Sequence, residues 1–571
     1  MKILLAGISA KFIHQNLAVD ALRLYAEEQY GIRCCIAEFT INQPFDMILA
    51  ELYRQKPDLL GFSCYIWNWE LIRRLVRAIR KILPDTRLLL GGPEVTYNAA
   101  ETLIDPGADF VLSGEGEESF SRLCLALRDG LPLDDVPSLA WKRNGIPVQN
   151  PMASPLDLSR LPFPVRDFSQ YENRILYYEA QRGCPFHCQY CLSSTDKGVR
   201  FQPLPKVFSE LQRYLDAGVR QVKFVDRTFN VNTEFAMAIW RYLAEHDNGV
   251  TNFHFEMEGG LITEEQIQFL AGVRPGLFQF EIGVQSTNPA TLAAVDRQDD
   301  FVQVAEAVRA IRAARNIHIH LDLIAGLPWE DLERFGESFN AVYGLEPEQL
   351  QLGFLKLLKG SGLRRDAGKY GILWQDEAPY EVLETAVLPY LGLLELKETE
   401  ELVDRYYNSG RFRAGLRELV RLAPSPFAFY RGFAAFYREK GYHLRPHTLI
   451  GQYSILWEYG QTLPGCCPER LGWLLEYDLC SHEKIRKRPA WAPVSDPPER
   501  REWACAFLQD PVNRKTYLPR YMGMDARQVS RLTHIGFFPL DPETGEEQES
   551  ILLFDYQETD LLGNARIFRI V

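Results

Sequence analysis

Short apolar runs at residues 3–5, 59–62, 88–90 and 110–112 recur at regular intervals over the first 130 residues. Each has the length of a strand buried on both faces. Amphipathic stretches lie between them; residues 69–83, for instance, repeat apolar positions at helical spacing. This alternation predicts a doubly wound, Rossmann-like α/β sheet over residues 1–145, whose ligands sit beyond the carboxyl ends of its strands. The loops at that edge are 7–16, 63–68, 91–96 and 113–117, and three of them contain glycine, which permits close backbone approach to a bulky ligand. A proline-rich stretch, 151–164, reads as part of a linker spanning 146–175.

A second alternating series begins near Leu176, with strand-like segments at 222–225, 252–256, 278–284, 318–324 and 349–355. Strand–helix units of this length predict a partial (β/α)6 barrel of the TIM type over 176–370, with its chemistry at the strand C-termini. The alternation then stops. Residues 371–571 read as a mostly helical domain, with helices at 380–396 (broken at Pro389) and 414–422, and strands at 550–556 and 565–571.

Composition adds limits. A chain of 571 residues exceeds one hydrophobic core, and 46% hydrophobic with 24% charged residues is ordinary for a folded protein. The net charge of −13 argues against broad binding to a polyanion, so no strong nucleic-acid signal is present. No apolar stretch of about 20 residues follows the N-terminus, so neither a signal peptide nor a membrane span is expected, and a cytoplasmic location follows. Eleven cysteines are too sparse for a disulfide scaffold, yet three are clustered.

That cluster is the strongest chemical signal: Arg182-Gly183-Cys184-Pro185-Phe186-His187-Cys188-Gln189-Tyr190-Cys191. Three thiolates at this spacing wrap one soft metal centre, and they leave one iron of a four-iron cluster open, as catalysis requires. The competing reading is a structural zinc site with His187 as fourth ligand. Cys466, Cys467, Cys480 and Cys505 have poor spacing for a second cluster and read as buried free thiols; Cys34, Cys35, Cys64 and Cys124 read as packing.

The loop resembles the C-x3-C-x2-C signature of the radical S-adenosylmethionine (SAM) superfamily, with Tyr190 in its aromatic position. The resemblance covers roughly residues 176–365. Val225-Asp226-Arg227-Thr228-Phe229 is similar to the end of the second barrel strand, Glu281-Ile282-Gly283-Val284-Gln285-Ser286 to the fourth, Asp322-Leu323-Ile324-Ala325-Gly326-Leu327-Pro328 to the fifth, and Leu355-Lys356-Leu357-Leu358-Lys359-Gly360-Ser361 to the sixth. The family likeness implies a [4Fe-4S] cluster on Cys184, Cys188 and Cys191, and SAM contacts at Tyr190, Asp226, Thr228, Glu281, Gln285, Ser286, Ile324, Gly326 and Lys356. Glu281 and Gln285 fit equally well as satisfied strand residues. One departure stands out: many relatives carry two adjacent acids where this chain has Asp226 and Arg227. Arg227 either pairs bidentately with a substrate or cofactor carboxylate or forms a salt bridge with Asp226.

A doubly wound domain ahead of such a barrel resembles the cobalamin-binding members of the superfamily. The matching pieces imply cobalamin contacts at Ser63, Tyr65, Trp67, Asn68, Gly91, Gly92, Pro93, Glu94, Ser113, Gly114, Glu115 and Gly116. An Asp-x-His-x-x-Gly motif is absent; around His14 the flanking positions are Phe12 and Leu17, so cobalt is expected without a histidine ligand. The C-terminal region resembles an uncharacterised domain found in a subgroup of these enzymes. Its aromatic and basic stretches, 406–412 and 424–431, read as helix packing or as a stacking surface for a planar substrate.

The resemblance therefore implies an enzyme that makes a 5′-deoxyadenosyl radical and uses cobalamin to methylate an unactivated centre. Rearrangement, cyclisation or sulfur insertion without methyl transfer is the alternative, and a zinc-stabilised binding protein the remote one. A small-molecule substrate is favoured, and the chemistry calls for a low-potential electron donor such as flavodoxin or ferredoxin. The catalytic side chains are not legible.

Overall fold

Seven strands open the chain: β1 (Ile3–Ser9), β2 (Cys35–Thr40), β3 (Leu59–Ser63), β4 (Arg87–Gly91), β5 (Phe110–Leu112), β6 (Leu139–Arg143) and β7 (Ile146–Gln149). The computed structural model describes residues 1–195, 198–485, 488–493, 497–559 and 563–570. The first sheet has the order β2-β1-β3-β4-β5-β6-β7, parallel from β2 to β5, with β6 and β7 added as an antiparallel hairpin. Reversal of strand order beside β1 is the doubly wound arrangement. The helix Trp69–Ile82 buries Trp69, Ile72, Leu75, Val76 and Ile79 against this sheet, as its periodicity predicted.

Two expectations need correction here. β7 lies beyond the boundary drawn at 145, so that boundary cuts a hairpin of the front sheet. The proline-rich stretch is no loose linker either: Leu156, Leu158 and Leu161 are buried with Tyr25. Proline stiffens this strap, and its apolar residues hold it down.

The second series contains β8 (Leu176–Tyr178), a two-stranded ribbon of β9 (Gln181–Arg182) and β10 (Arg200–Phe201), then β11 (Gln221–Phe224), β12 (Asn252–Met257), β13 (Phe278–Gln285), β14 (His318–Ala325) and β15 (Gln349–Phe354). The sheet order β15-β14-β13-β12-β11-β8 follows the chain, as in a barrel and unlike the front sheet. Side chains alternate strictly. Val222, Phe224, Phe253, Phe255, Phe278 and Phe280 are buried, with Trp240 and Phe229 packed among their rings. The opposite face carries Lys223, His254, Glu256, Gln279 and Glu281 in register. One face is thus an aromatic core under the helices, the other a charged surface that needs partners.

The chain divides into two units: residues 1–319, 324–330 and 353–389 form the first, and 320–323, 331–352 and 390–571 the second. In the first, the helix expected from residue 380 is absent. β16 (Leu373–Trp374) pairs with β17 (Val382–Glu384), and helix begins only at Tyr390, after Pro389. A proline denies the helix an N–H and biases its predecessor to extended backbone.

The second unit is mainly helical, with an aromatic core. Tyr406 and Phe412 pack on Phe433 and Tyr453, and Phe427 and Tyr430 pack on Phe339. Arg431 pairs with Glu395 at 2.7 Å. The aromatic-basic stretches are therefore packing. An antiparallel sheet of β18 (Thr533–Phe538), β19 (Ser550–Thr559) and β20 (Ala565–Arg569) ends the unit; the last residue of the strand expected to 571 lies outside the described residues. Only Cys480 of the four tail cysteines is buried, whereas Cys467 and Cys505 are exposed. Cys467 and Cys480 sit at opposite ends of the helix Pro468–His482, about 20 Å apart at 1.5 Å per residue, too far for a common cluster. Cys35, read as packing, is exposed on edge strand β2.

Candidate functional site

The three cysteines follow the ribbon strand β9, in a loop held by its own backbone. The Cys191 N–H donates to the Cys188 carbonyl at 3.0 Å, the Gln189 N–H to Val295 O at 2.9 Å, and the Leu363 N–H to Gln189 O at 2.8 Å. Gly183 enters the loop at φ +101°, in contact with the Gly198 backbone that a Cβ would overlap. Cys188 is buried; Cys184 and Cys191 are half-buried. Among the described residues, no three His, Cys, Asp or Glu side chains converge tightly enough for a single metal ion. His187 is exposed. The three thiols share one loop, a soft sulfur donor set of the kind that suits iron.

A cation that sequence reading missed stands beside the loop. Arg297 Nη1 lies 4.0 Å from the Cys188 sulfur and 3.3 Å from the Tyr190 hydroxyl, while Nη2 donates to Glu258 at 2.9 Å and to Gly283 O at 2.5 Å. Asp299 also pairs with Arg297. Burial pushes the Cys188 thiol up, against the pull of Arg297. Burial likewise raises the Glu258 carboxyl to about 7, a rise that Arg297 opposes and Asp299 reinforces.

The residues expected to meet SAM divide into groups. Asp226 is buried at the end of β11, where Oδ1 accepts from the Ala180 and Gln181 amides at 2.9 and 3.0 Å. Oδ2 has no partner among the described residues, and burial raises the carboxyl well above its usual range. Thr228 Oγ1 is 3.4 Å from the Cys184 sulfur. Ser286 Oγ donates to Glu330 at 2.5 Å. Gln285 adopts φ +67°, and its buried Oε1 is likewise without a partner, an acceptor suited to a ligand hydroxyl. Ile324 is half-buried, Gly326 turns at φ +90° against Val382, and the Lys356 side chain is exposed. Glu281 is paired within the barrel, with Lys223 at 2.9 Å and His254 at 3.1 Å. Burial alone would lower Lys223; Glu281 and Glu256 outweigh it and keep the ammonium charged.

Asp226 gives a direct test of this scaffold. Asp226→Ala leaves two buried N–H groups without acceptors and is expected to cost about 2–4 kcal/mol. Asp226→Asn keeps an oxygen for both and should cost less than about 1 kcal/mol, read from denaturant midpoints.

The carboxyl edge of the front sheet meets the cysteine loop within the same unit. Arg182, two residues before Cys184, pairs with Glu117 at 2.8 Å, Glu115 at 3.4 Å and Glu179 at 2.7 Å. Arg200 also pairs with Glu115; these arginines outweigh burial and hold its carboxyl low. Glu94 pairs with Lys359 at 2.6 Å and accepts from the Tyr380 hydroxyl. Tyr97 bonds Thr195 at 2.7 Å, and His14 Nδ1 lies 2.8 Å from the Tyr177 hydroxyl. Three of the four loops at this edge are thus tied to the barrel by named polar contacts, and the fourth, after β3, carries the stacked pair Tyr65 and Trp67, with centroids 4.4 Å apart.

Of the positions expected to meet cobalamin, Trp67 is 46% exposed, and Ser63, Gly91, Gly92, Pro93, Ser113, Gly114 and Gly116 line the loop backbones. The polar atoms of Asn68, Glu94 and Glu115 are engaged with protein: Asn68 donates to Ile8 O and Ser63 O and accepts from the Tyr65 amide. Gly92, at φ +112°, lies so close to Cys64 that a Cβ would stand 2.6 Å from its carbonyl oxygen. Gly114 turns at φ +73°. Glycine backbone at a sheet's carboxyl edge is a cradle for a large planar ligand.

Profiles of three known domains match successive stretches of the chain. A B12 binding domain profile matches residues 3–124, a Radical SAM superfamily profile residues 178–342, and a domain of unknown function, DUF4080, residues 368–554. The chain is 25% identical over 325 residues to the uncharacterized methyltransferase PH0819 of Pyrococcus horikoshii, covering 54% of this chain and 68% of that protein. It is 24% identical to the cobalamin-dependent radical SAM methyltransferase TokK of Streptomyces tokunonensis, covering 57% of this chain and only 51% of TokK. In fold it resembles TsrM from Kitasatospora setae, a radical SAM methyltransferase solved with cobalamin and a [4Fe-4S] cluster, with TM-score 0.56, 17% identity, and coverage of 66% of this chain and 79% of that one. No helix among the described residues is long and apolar enough to cross a membrane.

Proposed function

We propose that this chain, which joins a B12-binding domain and a radical SAM domain to a DUF4080 region, methylates an unactivated carbon or phosphorus centre of a small molecule. The observation that carries this reading is the lock between its two ligand-bearing edges. Arg182 leads into the cysteine loop and ion-pairs with Glu115 and Glu117 of the front-domain loop after β5. When bound, the cluster supplies the electron that cleaves SAM, and cobalamin supplies the methyl group to be transferred.

The chain's own residues do the positioning. Cys184, Cys188 and Cys191 would hold the cluster, which would supply an iron for SAM to bind. Gln285 Oε1 offers its free acceptor to the ribose, while Gly326 and Ile324 present backbone and an apolar wall to the adenine. Asp226 shapes the loop through backbone amides, and Arg297 sets the charge beside Cys188. Trp67, stacked on Tyr65, and the glycine loops after β4 and β5 receive the corrin; Asn68, Glu94 and Glu115 hold those loops in shape. The reducing electron comes from a low-potential carrier of the flavodoxin or ferredoxin kind.

The test is anaerobic turnover with trideuteromethyl-labelled SAM and a panel of small organic acids. Deoxyadenosine and a labelled product should form together, resolved by mass spectrometry. Deoxyadenosine throughout the panel with no transfer of label to any acceptor would move the reading to rearrangement or sulfur insertion.

A further inference from the structure

Asp226 and Thr228 are 1% and 4% exposed, pinned by the Ala180 and Gln181 amides and the Cys184 sulfur respectively. Arg227, between them, turns the other way, and 59% of its side chain is open. Its charge bears on Glu256 at the end of β12, on Cys191 and Cys184 of the cysteine loop, and on Tyr65 of the loop after β3. The guanidinium therefore stands at the end of β12 on the polar face of the barrel, within electrostatic reach of the cysteine loop and of the loop after β3.

An arginine offers five N–H donors in a rigid fork. Neighbouring arginines have theirs occupied: Arg182 by Glu117 and Glu179, Arg297 by Glu258 and Gly283 O. Arg227 differs. Its salt bridge, with Glu256, is 3.7 Å long, and Glu256 is shared with Lys223 at 3.8 Å. The salt bridge to Asp226 that the sequence left open does not form, because Asp226 turns inward to the backbone. A mostly open fork, with one long carboxylate contact and no hydrogen bond among the described residues, matches a planar or tetrahedral oxyanion.

We propose that Arg227 anchors an anionic group of the substrate, a carboxylate or phosphoryl group held bidentately beside the cysteine loop. The inference rests on the reading of that loop as the cluster and SAM site. It narrows the substrate class to acids. SAM also carries a carboxylate, so the source of the anion has to be separated. Arg297 stands 4.0 Å from the Cys188 sulfur, whereas the contact of Arg227 is with Glu256 at the end of β12, and its charge bears on Cys191, Tyr65 and Cys184.

The experiment is anaerobic calorimetric titration of cluster- and cobalamin-loaded protein with inorganic phosphate, with and without saturating SAM. Phosphate should bind in both conditions, and Arg227→Gln should weaken it about tenfold or more. Arg227→Lys keeps the charge but loses the fork, and should restore only part of the affinity. The paramagnetic signal of the reduced cluster verifies that each variant is loaded; if Arg227→Gln cannot be loaded, Arg227→Lys decides alone. Unchanged phosphate affinity in the variants, no saturable binding to loaded wild type, or displacement of phosphate by SAM each overturns the proposal. Wild type that takes up no four-iron cluster would instead overturn the reading beneath it.

Discussion

Alanine at Cys184, Cys188 or Cys191 is expected to abolish the four-iron signal and reduce deoxyadenosine formation to background, while the protein stays folded. The first half follows from ligand count, since two thiolates cannot hold a cage that needs three protein corners. The second half follows from the loop itself. Its backbone is fastened by the Cys191–Cys188, Gln189–Val295 and Leu363–Gln189 hydrogen bonds, none of which uses a thiol. Arg182 adds three carboxylate contacts just upstream. Removing a half-buried thiol, Cys184 or Cys191, or the buried thiol of Cys188 from such a loop costs on the order of 1 kcal/mol, far less than unfolding. A zinc-stapled domain would behave differently, because structural zinc carries the folding energy and ligand loss unfolds it. Mössbauer spectra and circular dichroism of the three variants separate these outcomes. Retention of the cluster by a triple alanine variant would end the cluster reading.

The second large effect is expected at Gly92. With φ at +112° and a would-be Cβ only 2.6 Å from Cys64 O, this position accepts no side chain without moving one loop off the other. The Cys64 N–H donates to Gly91 O at 2.7 Å and the Glu94 N–H to Cys64 O at 3.3 Å, so the contact joins the loops after β3 and β4 through backbone. Gly92→Val pays about 1–3 kcal/mol in backbone strain, before the clash is counted. Reconstituted protein carrying it should pass through gel filtration without corrin absorbance while keeping its iron–sulfur bands, because the cysteine loop draws on other elements. Trp67→Ala, at a 46% exposed ring whose one hydrogen bond among the described residues is from the indole N–H to Ile8 O at 3.3 Å, should weaken corrin retention more mildly. Full corrin retention by Gly92→Val would place cobalamin elsewhere or nowhere on this sheet.

The two predictions differ in how visible their residues were beforehand. The cysteines are seven positions apart end to end and announce themselves in the sequence. Gly92 sits in a recognisable loop, yet the reason it must be glycine, the Cys64 carbonyl, lies 28 positions away. Arg297 lies still further from notice. It follows Gln285 by twelve residues across the helix Pro289–Ala294, and only the fold sets it beside Cys188.

Alternation of apolar runs with amphipathic stretches determined, by itself, the two α/β regions and the strands that build them, because a strand buried on both faces must be apolar along its length. β2 escaped for the converse reason: it is an open edge strand, Cys35 to Thr40, with a single buried residue, Phe39. The spacing of three cysteines likewise marked the candidate metal loop, a local property of one segment. Tertiary structure alone decided the partners of charged groups. Asp226 turned to backbone amides, Arg227 stayed open, and Arg182, Lys359 and Tyr380 closed the front edge onto the barrel. Charges act through space over a few ångströms, and residues that distance apart in the fold are tens or hundreds of positions apart in the chain.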